Sequence, residues 1–334
     1  MRDLRLKLMV SAFVGLMAFA SLARPVSSVI NPRPQPYNGS GRSLTFTSLP
    51  PVKVPAMNAD YVGGYEITAT GTSLFEGLSD VLIMPTPKGG EFDAVSDFGH
   101  AVRFGFAHDA SPQTVEIEPL KGPDSQPFGN KALADAEGLA RDEAMGDYYV
   151  SYEGDHRVMR YPAATGLFGP GERLELTGLP SFPDNEGMEA LAFHRGADGK
   201  GALIIGAESG GFWRCGLEDY QCTPLKADTG PGFGYAIVSL RGFGAARPDE
   251  FLALYRFYAP LVGVRTKLRR VRLTGDRLER VEDILTIAPP MPHDNYESIG
   301  AVKTQSGYRL FLLSDPLKFD QKTRLLIFDW APAL

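Results

Sequence analysis

Phe75-Glu76-Gly77-Leu78, Ala136-Glu137-Gly138-Leu139, Met188-Glu189-Ala190-Leu191 and Tyr296-Glu297-Ser298-Ile299 each place a glutamate just ahead of a short apolar run. Phe233-Gly234-Tyr235-Ala236 holds the same place in a fifth unit that lacks the acid. A second signal closes the next apolar run 16 to 21 residues later: Ser96-Asp97, Tyr152-Glu153, Glu208-Ser209 and Ser314-Asp315, with Tyr255-Arg256 in the acid-free unit. When two consecutive strands pair as an antiparallel hairpin, the residue entering the first and the residue leaving the second return to the same end of the sheet. The spacing therefore predicts eight carboxylates and one arginine gathered on one face.

Working outward, the units recur at intervals of about 45 to 60 residues and each reads as four short strands, the pattern of a β-propeller, in which no blade buries both faces alone. Shorter, more regular repeats would suit a linear solenoid, and a two-sheet sandwich would not repeat one acid at one point of every unit. The 26 prolines and 37 glycines, with no long stretch of 3.6-residue apolar periodicity, agree with an all-β chain. The fifth unit, Ser298–Lys303, Tyr308–Leu313 and Thr323–Trp330, is one strand short. Ser43–Leu49 or Tyr61–Thr68 supplies the missing strand and closes the ring by joining the two ends of the chain. Five blades are readable, and Ser43–Thr68 holds enough strand-like sequence for part of a sixth.

Ahead of this domain (43–334), residues 1–23 read as a secretory signal peptide: Arg2, Arg5 and Lys7, then the apolar Leu8–Ala20, then small residues suited to cleavage. Residues 24–42, rich in Pro, Ser, Gly and Asn, read as an extended leader. Removing residues 1–23 takes away three basic residues and one acid and moves the net charge from −6 to −8. Such a balance favours neither nucleic acid nor an anionic membrane surface. An exported, periplasmic or secreted protein with no stable membrane insertion is expected. Cys215 and Cys222, on adjacent short strands, suit a disulfide across a hairpin in an oxidising compartment; as a metal site they lack Cys or His partners.

Clustered carboxylates repel unless a cation, an arginine or a shared proton compensates. Hard oxygen ligands from several elements favour calcium. The candidate metal ligands are Glu76, Asp97, Glu137, Glu153, Glu186, Glu189, Glu208, Glu297 and Asp315, with Asn185 and Asn295 as neutral carbonyl ligands. Glu186 and Glu189 precede the same strand and compete for one inward position. Arg256 suits either a bidentate clamp on phosphate or carboxylate or a structural ion pair. His156 and His293 are the histidines placed for acid–base work, and Glu137, Glu189, Arg256 and His156 form the candidate catalytic set. Lys267, Arg269, Arg270 and Arg272 read as an exposed outer strand. There is no Gly-x-Ser-x-Gly elbow, P-loop, His-Glu-x-x-His or Arg-His-Gly signature. A hydrolase on this chain acts through metal-activated water.

Ala136-Glu137-Gly138-Leu139-Ala140, Asp184-Asn185-Glu186-Gly187-Met188-Glu189-Ala190-Leu191, Arg256-Phe257 with Lys267-Leu268-Arg269-Arg270-Val271, Asp294-Asn295-Tyr296-Glu297-Ser298-Ile299, and Leu312-Leu313-Ser314-Asp315 with Gln321-Lys322-Thr323 resemble the phytase-like propeller family, also called esterase-like activity of phytase. The resemblance covers roughly residues 60–330. It implies an exported propeller that hydrolyses a small-molecule phosphoester or ester. This chain departs from the family's pattern where Pro316-Leu317-Lys318 follows Asp315 in place of further Asp or Asn, and where Ser298 follows Glu297 in place of Gly. The rival expectation is a non-catalytic exported propeller that binds a ligand or serves as a scaffold.

Overall fold

A computed structural model describes residues 41–316 and 322–332. Two N-terminal strands, β1 (Ser43–Ser48) and β2 (Asp60–Thr70), precede the repeats. Blade one is β3 (Leu78–Thr86), β4 (Gly89–Ser96), β5 (His100–Ala107) and β6 (Gln113–Pro119). A single helical turn, α1 (Lys131–Ala134), leads into blade two: β7 (Ala136–Arg141), β8 (Tyr148–Tyr152), β9 (Arg157–Tyr161) and β10 (Glu172–Leu174). Blade three is β11 (Met188–Arg195), β12 (Gly201–Ala207), β13 (Phe212–Gly216) and β14 (Cys222–Asp228), and blade four is β15 (Tyr235–Gly242), β16 (Glu250–Ala259), β17 (Gly263–Thr274) and β18 (Arg277–Ile287). β19 (Tyr296–Lys303), β20 (Tyr308–Ser314) and β21 (Arg324–Trp330) begin blade five.

Inside each blade the strands pair antiparallel in chain order. The first strands pack side by side, β3 to β7 to β11 to β15 to β19 and back to β3, and close the ring. β2 is the fourth strand of blade five: it pairs antiparallel with β21, Asp60 opposite Asp329 and Glu66 opposite Arg324. The expected closure by the N-terminal segment is therefore the one observed. β1 lies outside β2 and reaches β6 of blade one through Ser43–Thr114 and Leu44–Gln113. Both N-terminal strands thus extend existing blades, and the described residues form a five-bladed propeller with no sixth blade.

Side-chain alternation along the middle strands makes this ring stable. In β20, Leu310 and Leu312 pack toward blade four while Phe311 and Leu313 pack toward blade one. In β16, Leu252 and Leu254 join the first of these cores, and Phe251, Ala253 and Tyr255 join the core shared with blade three. Successive residues of a strand point to opposite faces, so an unbroken apolar run fills two inter-blade cores at once. The five hydrophobic clusters correspond to the five blade junctions. Cys215 and Cys222 face each other across β13 and β14 and form a disulfide. The expected signal peptide lies outside the described residues, as does most of the leader. No helix among the described residues is long and apolar enough to cross a membrane.

Candidate functional site

The site begins with a backbone irregularity that every blade repeats. Each inner strand carries a β-bulge near its entry: between Leu78 and Asp80, Ala136 and Leu139, Met188 and Ala190, Ile237 and Ser239, and Tyr296 and Ser298. A bulge sets an extra residue against one partner and re-aims a side chain. Glu137, Glu189 and Glu297 occupy the bulges of blades two, three and five. Equivalent positions in blades one and four fall to Ser79 and Val238. Glu76 lies three residues ahead of its expected equivalent and is exposed, with Asp97 near enough to help burial raise its carboxyl above the ordinary range. Gly234 likewise precedes the true equivalent, Val238, by four residues.

The residues that close the second strands are held level by one repeated backbone bond. Asp97 N–H donates to Gly77 O at 2.9 Å, Glu153 to Asp135 O at 2.9 Å, Glu208 to Gly187 O at 3.0 Å and Asp315 to Asn295 O at 2.9 Å. In blade four, Arg256 takes this place opposite Ala236. The carboxylates of Asp135, Glu137 and Glu153 bring one oxygen each within 4.8 Å of one another, and so do Glu153, Glu189 and Glu208. Glu153 belongs to both groups.

Among the described residues, Arg256 and Lys131 are the cations bonded to this acid. Arg256 donates Nη2 to Glu208 Oε1 at 2.8 Å and Nη1 to Asn295 Oδ1 at 3.0 Å and to Glu297. Burial alone would depress the guanidinium, but Glu297, Glu208 and Glu189 hold it charged. Lys131 Nζ bonds Asp135 Oδ1 at 2.6 Å and Asp97 Oδ2 at 3.1 Å. It stands at the start of α1, whose N-terminus Asn130 caps through Leu133 N–H at 3.0 Å. Seven carboxylates, of Asp97, Asp135, Glu137, Glu153, Glu189, Glu208 and Glu297, therefore share two cations. Burial, reinforced by Glu189, raises Glu137 well above the carboxylate range; burial and Glu208 do the same to Glu189. Burial lifts Glu153 and Glu297 to about 7.

Beneath the acids lies a second polar layer. Asp80, fully buried, accepts bonds from Val81 N, Ser239 Oγ, Leu139 N and Arg241 Nη2, each at 2.9 Å. Arg241 also donates to Leu139 O at 2.8 Å, Val81 O at 2.8 Å and Ile299 O at 3.2 Å. One ion pair so joins inner strands of blades one, two, four and five directly beneath the acids.

Of the other expected residues, Glu186 contributes through its backbone, accepting from Ser209 N–H at 3.2 Å, and Asn185 is exposed in a turn with φ of 55°. The inward position belongs to Glu189. His156 sits on the rim: a Cβ on Gly187 would stand 2.6 Å from His156 Nδ1 and 3.4 Å from Glu153 Cγ, so the absent side chain makes room for the ring. His293 Nδ1 lies 3.3 Å from Met291 O, outside the cluster. Asp315 is described through its backbone bond; Lys318 lies outside the described residues. Two members, Asp135 and Lys131, went unread in the sequence, although Asp135 directly precedes Ala136-Glu137 and stands four residues after Lys131. A donor set made wholly of oxygen, with acid in excess over cation, fits a hard divalent ion.

The fold is similar to two solved structures at low identity. Hydrazine synthase of Kuenenia stuttgartiensis aligns at 9% identity and a TM-score of 0.38 over 73% of this chain and 58% of that one. The Bacteroides ovatus xyloglucan PUL GH43B protein aligns at 11% identity and a TM-score of 0.45 over 75% of this chain and 52% of that one. The chain thus spans little more than half the length of each. No curated protein matches it. The family model described as "Phytase-like: Esterase-like activity of phytase" matches residues 73–316, a stretch that contains every carboxylate of the depression, and the chain belongs to this phytase-like family.

Proposed function

We propose that this protein is an exported hydrolase of small-molecule phosphoesters or esters, assisted by a calcium ion held in the acidic depression. The observation that carries the reading is the pair of carboxylate groups sharing Glu153, with seven acids set against Lys131 and Arg256. Asp135, Glu137 and Glu153, or Glu153, Glu189 and Glu208, would hold the ion. Calcium tolerates irregular oxygen sets drawn from several loops. Such an ion supplies polarisation of an ester or phosphoryl oxygen.

The chain's own groups divide the remaining work. Glu137 and Glu189, whose carboxyls burial and neighbouring acids hold well above the ordinary carboxylate range, are suited to hold a proton beside the substrate. Arg256 orients Glu208, Glu297 and Asn295. His156, on the rim beside Glu153, is placed to exchange protons with solvent. The buried Asp80–Arg241 pair ties together the inner strands that carry these acids.

Metal analysis of purified protein, together with hydrolysis of p-nitrophenyl phosphate and p-nitrophenyl acetate before and after chelation, tests this reading. Turnover of one substrate, lost on chelation and restored by calcium, is expected. Equal turnover by metal-free protein would refute the metal role. One observation favours a second reading, a ligand-binding propeller: Arg256 and Lys131 are both engaged by acids, which leaves no unpaired side-chain cation beside the cluster among the described residues for an anionic substrate. Calcium binding with no turnover of either ester would select it.

A further inference from the structure

The end of the propeller opposite the acidic depression carries a cleft of about 700 Å³ between blades three and four. β11 runs from the acidic end toward it and finishes at His194 and Arg195, while β16 starts there at Glu250. Its lining includes Arg214, Arg247 and Arg272, three guanidiniums from separate segments. Arg269, Arg270 and Arg272 do not form the exposed outer strand that the sequence suggests, since Arg269 and Arg270 are buried.

Glu250 organises this end. Its side chain is 8% exposed, and it accepts from Arg272 Nη2 at 2.6 Å, Arg272 Nε at 3.1 Å, Arg247 Nη1 at 2.9 Å and Arg270 Nη1 at 3.3 Å. One buried carboxylate therefore fixes Arg247 and Arg272 while leaving each of them N–H groups to spare. Arg214, on β13, makes no side-chain hydrogen bond or ion pair among the described residues. Its Nη2 rests against Gly196, where a Cβ would stand 3.3 Å away. The cleft is also polar on its other side. His194, 3% exposed, bonds Asp249 Oδ1 through Nε2 at 2.9 Å and has no partner for its buried Nδ1. Asp198 is exposed beside Gly196.

We propose that this cleft binds a small oxyanion, a phosphate ester or a carboxylate, borne on a hydroxylated group. Arg214 would supply the unengaged charge, and Arg247 and Arg272 the pre-oriented second and third donors. A planar guanidinium suits bidentate bonding to phosphate or carboxylate. Holding it in place before binding lowers the ordering cost of association. Asp198 and Asp249 would accept from hydroxyls and disfavour polyanions. The volume lies within the range of small-molecule sites and exceeds what a bare anion fills. The inference stands apart from the chemistry of the acidic depression, at the other end of the axis.

Isothermal titration of the full chain with inorganic phosphate and with succinate, in a chelator so that no cation at the acidic end binds the anion, tests it. Saturable millimolar binding of at least one probe is expected, and the preferred probe identifies the group. Arg214→Gln, which disturbs no ion pair, should weaken binding about tenfold, the loss of one charge-assisted bond. Lys88→Gln, which removes an equal charge from the exposed β3–β4 turn of blade one, should leave it unchanged. The proposal is overturned if neither probe binds, if Arg214→Gln binds as well as the parent, or if Lys88→Gln weakens binding equally.

Discussion

Glu153 is the corner of the depression, common to both carboxylate groups and anchored by Gly187 N–H at 3.2 Å. Substituting Glu137 and Glu189 together by Gln retains volume and removes charge. The parent is expected to gain melting temperature from calcium by mass action, and the double variant is expected to fold without that gain. Differential scanning fluorimetry with and without calcium checks this, and an unchanged calcium shift in the variant would remove these residues from the ligand set. The Asp80–Arg241 pair calls for a different test. Arg241→Met leaves the buried Asp80 carboxyl without its partner, which should cost about 3–5 kcal/mol. Urea denaturation of Arg241→Met and of the Asp80→Asn/Arg241→Met pair measures it, with the pair recovering part of the loss; equal losses would show that packing, not charge, dominates there.

At the scale of elements, the bulges carry the specificity of the site. Glu137 and Glu297 were legible as inward acids because each stands beside a strand of apolar residues. Ser79 and Val238 were not legible as their equivalents, since a bulge changes register without changing composition. Aligning units by Glu-Gly-Leu or by Phe-Gly consequently places Glu76 and Gly234 too early in the chain. Asp135 and Lys131 were hidden for another reason: α1 is a four-residue turn found in blade two alone among the described residues, so no repeat points to it. The cysteines were legible from spacing alone. Replacing both by Ser should cost about 2 kcal/mol on the chain-entropy model, given the short loop closed. Chemical denaturation of the double Ser variant gives the value, and calcium binding should persist, because the disulfide lies at the end of blade three away from the acids.

Across the whole molecule, the crowding of acids makes stability depend on pH. Glu153 and Glu297 are raised from 4.5 in the unfolded chain to about 7 in the folded one. The unfolded state therefore releases these protons first, so their contribution is fully present below pH 4.5 and is lost as pH rises through about 7. Chelated protein should lose melting temperature over that window, and calcium, which selects the ionised carboxylates, should offset the loss. A flat profile in chelator would mean that the acids are more hydrated than their burial implies. Ring closure is testable at the same scale: deleting residues 41–70 removes the fourth strand of blade five and the clasp to blade one, and should abolish cooperative unfolding seen by calorimetry. By itself the sequence determined the all-β class, the repeating blades, closure through the N-terminal segment, the disulfide and an acidic end, because each rests on local periodicity or on spacing along the chain. Only the tertiary structure decided which acids meet, that Arg256 is tied to Glu208 and Glu297, that Asp80 and Arg241 pair beneath them, and that Glu250 gathers arginines at the far end. Those contacts join residues up to 161 positions apart, and their geometry exists only once five blades have been wound around one axis.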